Sequence, residues 1–114
     1  MTVTRLFTGD DGRSHFQEIP DAFEITEISG QSEFENATGV ALRCASGDTV
    51  SGWINAPRRQ HVVILTGEVE IEVTDGSKCR LVPGDILLAE DTTGQGHITR
   101  GFGERKTVVI SIPG

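Results

Sequence analysis

Few side chains in this 114-residue chain can do chemistry, and they are unevenly spread. Histidine occurs at 15, 61 and 97, cysteine at 44 and 79, and tryptophan once, at 53. Two arginines, Arg58 and Arg59, follow Pro57 in a polar stretch. A neutral imidazole can bind a divalent transition metal or carry a proton. Paired guanidiniums in a chain of net charge −7 can hold a carboxylate or phosphate through parallel hydrogen bonds. They can equally pair with acidic neighbours, of which Glu90 and Asp91 are the candidates. Trp53 reads either as core or as the apolar wall of a cavity. The cysteines match no zinc spacing and neither adjoins a histidine, so both read as small buried apolar residues. There is no G-x-S-x-G, no phosphate-binding loop and no dinucleotide fingerprint.

The bulk of the chain narrows the classes further. Its length suits one domain, and such a chain buries about two-thirds of its unfolded surface, enough to fold without a disulfide or structural metal. The apolar fraction is 36% and the charged fraction 24%, as in a globular protein. Aromatics make up only 5%, so the core must rest on Val, Ile and Leu. The negative balance, with no basic stripe carrying interleaved aromatics, argues against nucleic acid and anionic membranes as partners. No run approaches the ~20 apolar residues of a membrane span. MTVTRLFTGDDGRSHF does not resemble a signal peptide, so a cytoplasmic location is expected.

The elements that must position these residues are strands. Fourteen glycines and four prolines imply many turns. The first 35 or so residues are the most polar and form an N-terminal arm with a turn at Gly9–Gly12 and a short alternating strand, Phe23 to Ile28. Strands are expected at Val40–Cys44 and Thr49–Ile54, the latter stopped before Pro57. Val62–Leu65 is a continuous apolar run that suits a strand buried on both faces, broken at Thr66-Gly67. Glu68–Val73 alternates without exception, its glutamates toward water and its aliphatic residues toward a core. Asp75-Gly76 predicts a type I′ hairpin into Lys78–Val82. Pro83-Gly84-Asp85 turns into Ile86–Ala89, and Glu90–Gly96 is a loop. Two strands, His97–Arg100 and Lys106–Ile112, close the pattern. No helical periodicity is sustained anywhere, and short strands at even spacing predict a sandwich or barrel.

These turns and their spacing resemble the cupin family, small β-barrels of jelly-roll type. The resemblance covers about Thr49 to Ile112, in the segments LTGEVEIEV, DG, PGD and GQGH, and implies an all-β, single-domain jelly-roll barrel. Cupins carry two motifs, G-x5-H-x-H-x3–4-E-x6-G and G-x5-P-x-G-x2-H-x3-N, whose three histidines and glutamate hold one divalent metal in the barrel mouth. Gly67 matches the closing glycine of the first motif. Counting back seven places puts Gln60 at the glutamate position. The two histidine positions fall on Trp53 and Asn55 or on Ile54 and Ala56, none of which is histidine. Gly84 matches the opening glycine of the second motif, and Gly94-Gln95-Gly96-His97 fits its G-x2-H if the preceding loop is longer than standard. The motif asparagine falls on Gly101.

On this resemblance Gln60 and His97 face one cavity and are the surviving candidates for a divalent transition metal. His15 would be a third ligand if the N-terminal arm folds over the mouth; otherwise it is a surface histidine on an edge strand. His61, next to Gln60, should face the other way. Glu90 and Asp91 fall on the loop at the mouth, where a carboxylate beside His97 would make an acid/base pair. Two functions follow. One is a module binding a small polar or anionic ligand, with Arg58 or Arg59 recognising charge, Gln60 and His97 giving hydrogen bonds, and Trp53 forming a wall. The other is a divergent metal-dependent enzyme of isomerase or oxygenase type. The resemblance also implies a homodimer.

Overall fold

Two long strands carry the architecture. The structure, a computed structural model, describes residues 1–23 and 29–114. Among these every regular element is a strand: β1 (Val3–Thr8), β2 (Ser14–Glu18), β3 (Gly39–Ala45), β4 (Thr49–Val50), β5 (Gln60–Val73), β6 (Lys78–Leu81), β7 (Ile86–Ala89) and β8 (His97–Ser111). β5 and β8 pair antiparallel along their whole lengths, from Gln60 opposite Ser111 to Val73 opposite His97. On its other side β5 pairs with β7 near its start and with β6 near its end. The hydrogen-bonded path runs β2-β1-β7-β5-β8-β3, with β4 on β8 and β6 on β5. β1 joins β7 in parallel, a crossover pairing that two-residue turns cannot make.

The all-β expectation holds, and the strand limits show where local signals misled. Thr66-Gly67 does not break β5; the register against β8 shifts there, a bulge that lets one strand bend round the barrel. Gly101 and Gly103 likewise leave β8 continuous, so the two expected strands are one. The Val62–Leu65 run is not buried on both faces: Ile64 is in the core while Leu65 is half exposed. The strand expected at Thr49–Ile54 is only two residues long, followed by an isolated bridge from Ile54 to His97. The β5–β6 turn closes one residue earlier than a type I′ turn on Asp75-Gly76. The Gly76 N–H donates to Val73 O, and Gly76 follows at φ 89° as the left-handed residue of a three-residue loop.

At the N-terminus the GDDG turn is present, but it joins two strands of the barrel, β1 and β2, that polarity had hidden. The strand expected over Phe23 to Ile28 lies, apart from Phe23, outside the described residues. The core gathers Leu6, Ala56, Ile64, Ile71, Val73, Leu81, Leu87 and Ala89. As the alternation of Glu68–Val73 required, Ile71 and Val73 point inward. The three glutamates face outward to arginines: Glu68 to Arg80, and Glu70 and Glu72 to Arg100.

Candidate functional site

One end of this core opens into a cavity of about 300 Å³. Its walls are mostly aliphatic: Val62, Ile64, Val69, Ile71, Leu81 and Leu87 come from β5, β6 and β7. Gln60 and His97 both line it, as the motif alignment required. Gln60 opens β5 opposite Ala89 and Ser111 and is only 5% exposed. Its Oε1 is buried and has no hydrogen-bond partner among the described residues. An amide oxygen buried without a donor costs on the order of 1–3 kcal/mol.

His97 is held from three directions. Its backbone bonds in both directions to Ile54, fixing the first residue of β8. The preceding glycine makes this possible: Gly96 sits at φ 78°, and a β-carbon there would run into the Ile54 carbonyl. The imidazole Nδ1 lies 2.5 Å from Asp91 Oδ2, and Ser14 Oγ donates to the same oxygen at 2.7 Å. Both His97 and Asp91 are buried. The carboxylate therefore accepts from Nδ1–H and leaves Nε2, which has no partner among the described residues, as the imidazole atom free to act. The loop Glu90–Gly96 is pinned by Asn55, whose Nδ2 donates to the carbonyls of Asp91, Thr93 and Gly94.

The other expected site residues lie elsewhere. Trp53 is 50% exposed and belongs neither to the core nor to the cavity wall. Ile54, bridged to His97, takes the inward place, and alternation turns Trp53 away. Arg58 is exposed and does not line the cavity. Arg59 precedes the inward Gln60 and points outward, where it bonds Glu90 and the Pro113 carbonyl. Glu90 bonds Arg5 as well, at 2.6 Å, so this carboxylate clamps β1 to the strand openings of β5 and β8's exit. Burial alone would push its carboxyl up, but the two arginine hydrogen bonds outweigh that and hold it below the ordinary value. His15 is on the edge strand β2, with Nε2 at 2.9 Å from Asp11, away from the cavity. His61 faces outward to Glu35, as alternation required.

The cavity residues not anticipated include Arg43, Cys44, Thr99, Arg105 and Thr107. Arg105 was within reach of the sequence. Counting by twos from His97 along a single strand passes Thr99, Gly101 and Gly103 and arrives at Arg105 on the same face. Reading β8 as two strands interrupted that count.

A barrel of eight strands among the described residues, with long bent strands and a cavity at one end, defines a small jelly-roll protein. The structure is similar to the crystal structure of a cupin superfamily protein from Desulfitobacterium hafniense, with a TM-score of 0.53 and 21% identity over 78% of this chain and 94% of that one. The chain has the cupin fold. No family model and no curated protein matches its sequence.

The donors present do not fit the metal that cupin motifs hold. Among the described residues no three His, Cys, Asp or Glu side chains are grouped as a metal site. The bridge between Ile54 and His97 selects Ile54 and Ala56 as the inward pair at the two motif histidine positions, and neither can ligate. One imidazole and one carboxamide fall short of the three protein ligands of a catalytic site, and two guanidiniums on the same wall oppose a cation.

Proposed function

We propose that the protein is a small-molecule binding module whose site is the barrel cavity, taking a small polar ligand with an apolar body. The observation that carries this is Gln60 Oε1, an acceptor buried in the cavity wall without a donor among the described residues. A ligand N–H or O–H would satisfy it once the carboxamide turns its oxygen to the cavity, and His97 Nε2 offers a second acceptor held in place by Asp91. The aliphatic walls supply the non-directional part of the affinity, at about 25 cal/mol per Å² of apolar surface covered. The test is an NMR screen of small polar molecules against the isotope-labelled protein. Hits should broaden His97 and Gln60 signals and lose about tenfold in affinity in Gln60→Leu. Hits indifferent to both Gln60→Leu and His97→Ala would reject the reading.

A second reading, an enzyme of isomerase type, is favoured by the Asp91–His97 hydrogen bond. With Nδ1–H donated to Asp91, Nε2 can take a proton from a bound carbon acid and return it, and Asp91 stabilises the imidazolium formed in between. It predicts that a bound hit exchanges a C–H for deuterium in D2O, and that His97→Gln abolishes the exchange. Binding without exchange leaves only the module.

A further inference from the structure

Arg105 is a buried cation that the binding reading leaves unused. It is 8% exposed and lies on the cavity wall. Nη1 donates to the carbonyls of Gly47 and Gly103, and Nη2 donates to Thr49 Oγ1. All three acceptors are neutral. Asp48, in the same loop, places its Oδ1 on the Gly103 N–H instead. Among the described residues no carboxylate forms an ion pair with Arg105, and a guanidinium does not give up its proton in a protein. A full positive charge therefore sits beside an apolar hollow without a counter-charge among the described residues, which is a costly arrangement.

The unused donors are the informative part. A guanidinium has five N–H groups. Three are accounted for, and the remaining two are on Nε and Nη2, the nitrogens of one edge, which a planar carboxylate pairs with side by side. The fold also makes room for this group. Gly101 occupies an inward position of β8 before Arg105, and a β-carbon there would collide with the guanidinium. Arg43 lines the same cavity from β3, paired opposite Thr107 and so diagonal to Arg105, and it too lacks an ion pair among the described residues. His97 is four residues from Gly101 on the same face, about 13 Å along the strand.

We propose that the cavity takes a small organic carboxylate. Its carboxylate sits on the free edge of Arg105 with Arg43 alongside, and its apolar body runs along Val62, Ile64, Val69 and Ile71 toward Gln60 and His97. This rests on the binding reading and names its ligand class. A phosphate dianion, with more oxygens to satisfy, finds too few donors among these aliphatic walls.

Titration of 15N-labelled protein with acetate, hexanoate and benzoate, each beside its amide and beside inorganic phosphate, tests this. At least one carboxylate should shift the amides of Thr99 to Thr107 and bind tenfold or more tightly than its amide. Arg43→Ala removes an exposed side chain without hydrogen bonds among the described residues, so the fold is kept, and it should weaken that carboxylate about three- to tenfold. Arg105→Lys keeps the charge, loses the two-pronged edge and should weaken it at least tenfold. Equal binding of carboxylate and amide, displacement of the carboxylate by phosphate, or indifference to both substitutions would overturn the carboxylate assignment and leave the cavity a binding site. If no carboxylate and no amide moves a cavity resonance, the assignment and the binding reading fall together.

Discussion

Asp91 decides which nitrogen of His97 can act. Because Oδ2 receives both the Nδ1–H and the Ser14 hydroxyl, the neutral imidazole should be the Nδ1–H tautomer. Nitrogen-15 NMR of the ring should show that tautomer in the native chain and lose it in Asp91→Asn, where the amide can rotate to donate. An unchanged tautomer in that variant would mean that something other than Asp91 orients the ring. Glu90 makes a separate prediction. Its carboxyl is depressed in the folded chain by Arg5 and Arg59 from an ordinary value of 4.5. The stability it contributes is therefore complete above that ordinary value and is lost as pH falls through the lower folded one. Denaturant melts from pH about 5 to about 3 should show a shallower loss of stability in Glu90→Gln than in the native chain. At neutral pH the same substitution should cost about 1 kcal/mol, at the low end for charged hydrogen bonds because both arginines are partly exposed.

At the scale of elements, turn chemistry and alternation were legible and strand continuity was not. Pro83-Gly84-Asp85 and Ile86–Ala89 fall where glycine, proline and β-branched residues placed them, and Gln60 and His97 reach one cavity because motif spacing fixes strand register. The bulge at Thr66-Gly67 and the two glycines in β8 look like stops from sequence, since glycine weakens a strand locally. Pairing along a 14-residue partner overrides that weakness. The same misreading hid Arg105, whose guanidinium fills the space that Gly101 leaves. Trp53 was misplaced because its strand phase is set by the Ile54–His97 bridge, a contact across 43 positions that no local pattern encodes. The frame makes its own prediction. If Ile54 and Gln60 share the cavity with His97, Ile54→His with Gln60→Glu supplies three protein donors, and the double variant should bind nickel near stoichiometrically where the native chain does not. Failure to bind would mean that the three positions do not converge.

At the scale of the whole molecule the unresolved demand is β3. It ends the hydrogen-bonded path, with β8 on one side and no described strand on the other. Edges of this kind are normally protected by charge, proline or a bulge. In GVALRCA the single charge, Arg43, lines the cavity, while Val40 and Leu42 face out, Leu42 at 82% exposure, with Phe34 exposed in the segment before. We expect a second copy to cover this strand, pairing β3 with β3 across a two-fold axis, which satisfies both edges at once because such an interface is self-complementary. Strand pairing alone buries too little. A stable interface covers roughly 1,200–2,000 Å² in total, so Phe34, Val40 and Leu42 must be included. A net charge of −7 per chain opposes the association, but at physiological salt the repulsion is screened beyond about 8 Å. Sedimentation equilibrium at micromolar concentration should therefore report a dimer, and Leu42→Glu should shift it to monomer without lowering the fraction of folded chain, since Leu42 has no part in the core. A native chain that sediments only as monomer would leave the exposed face of β3 without this partner.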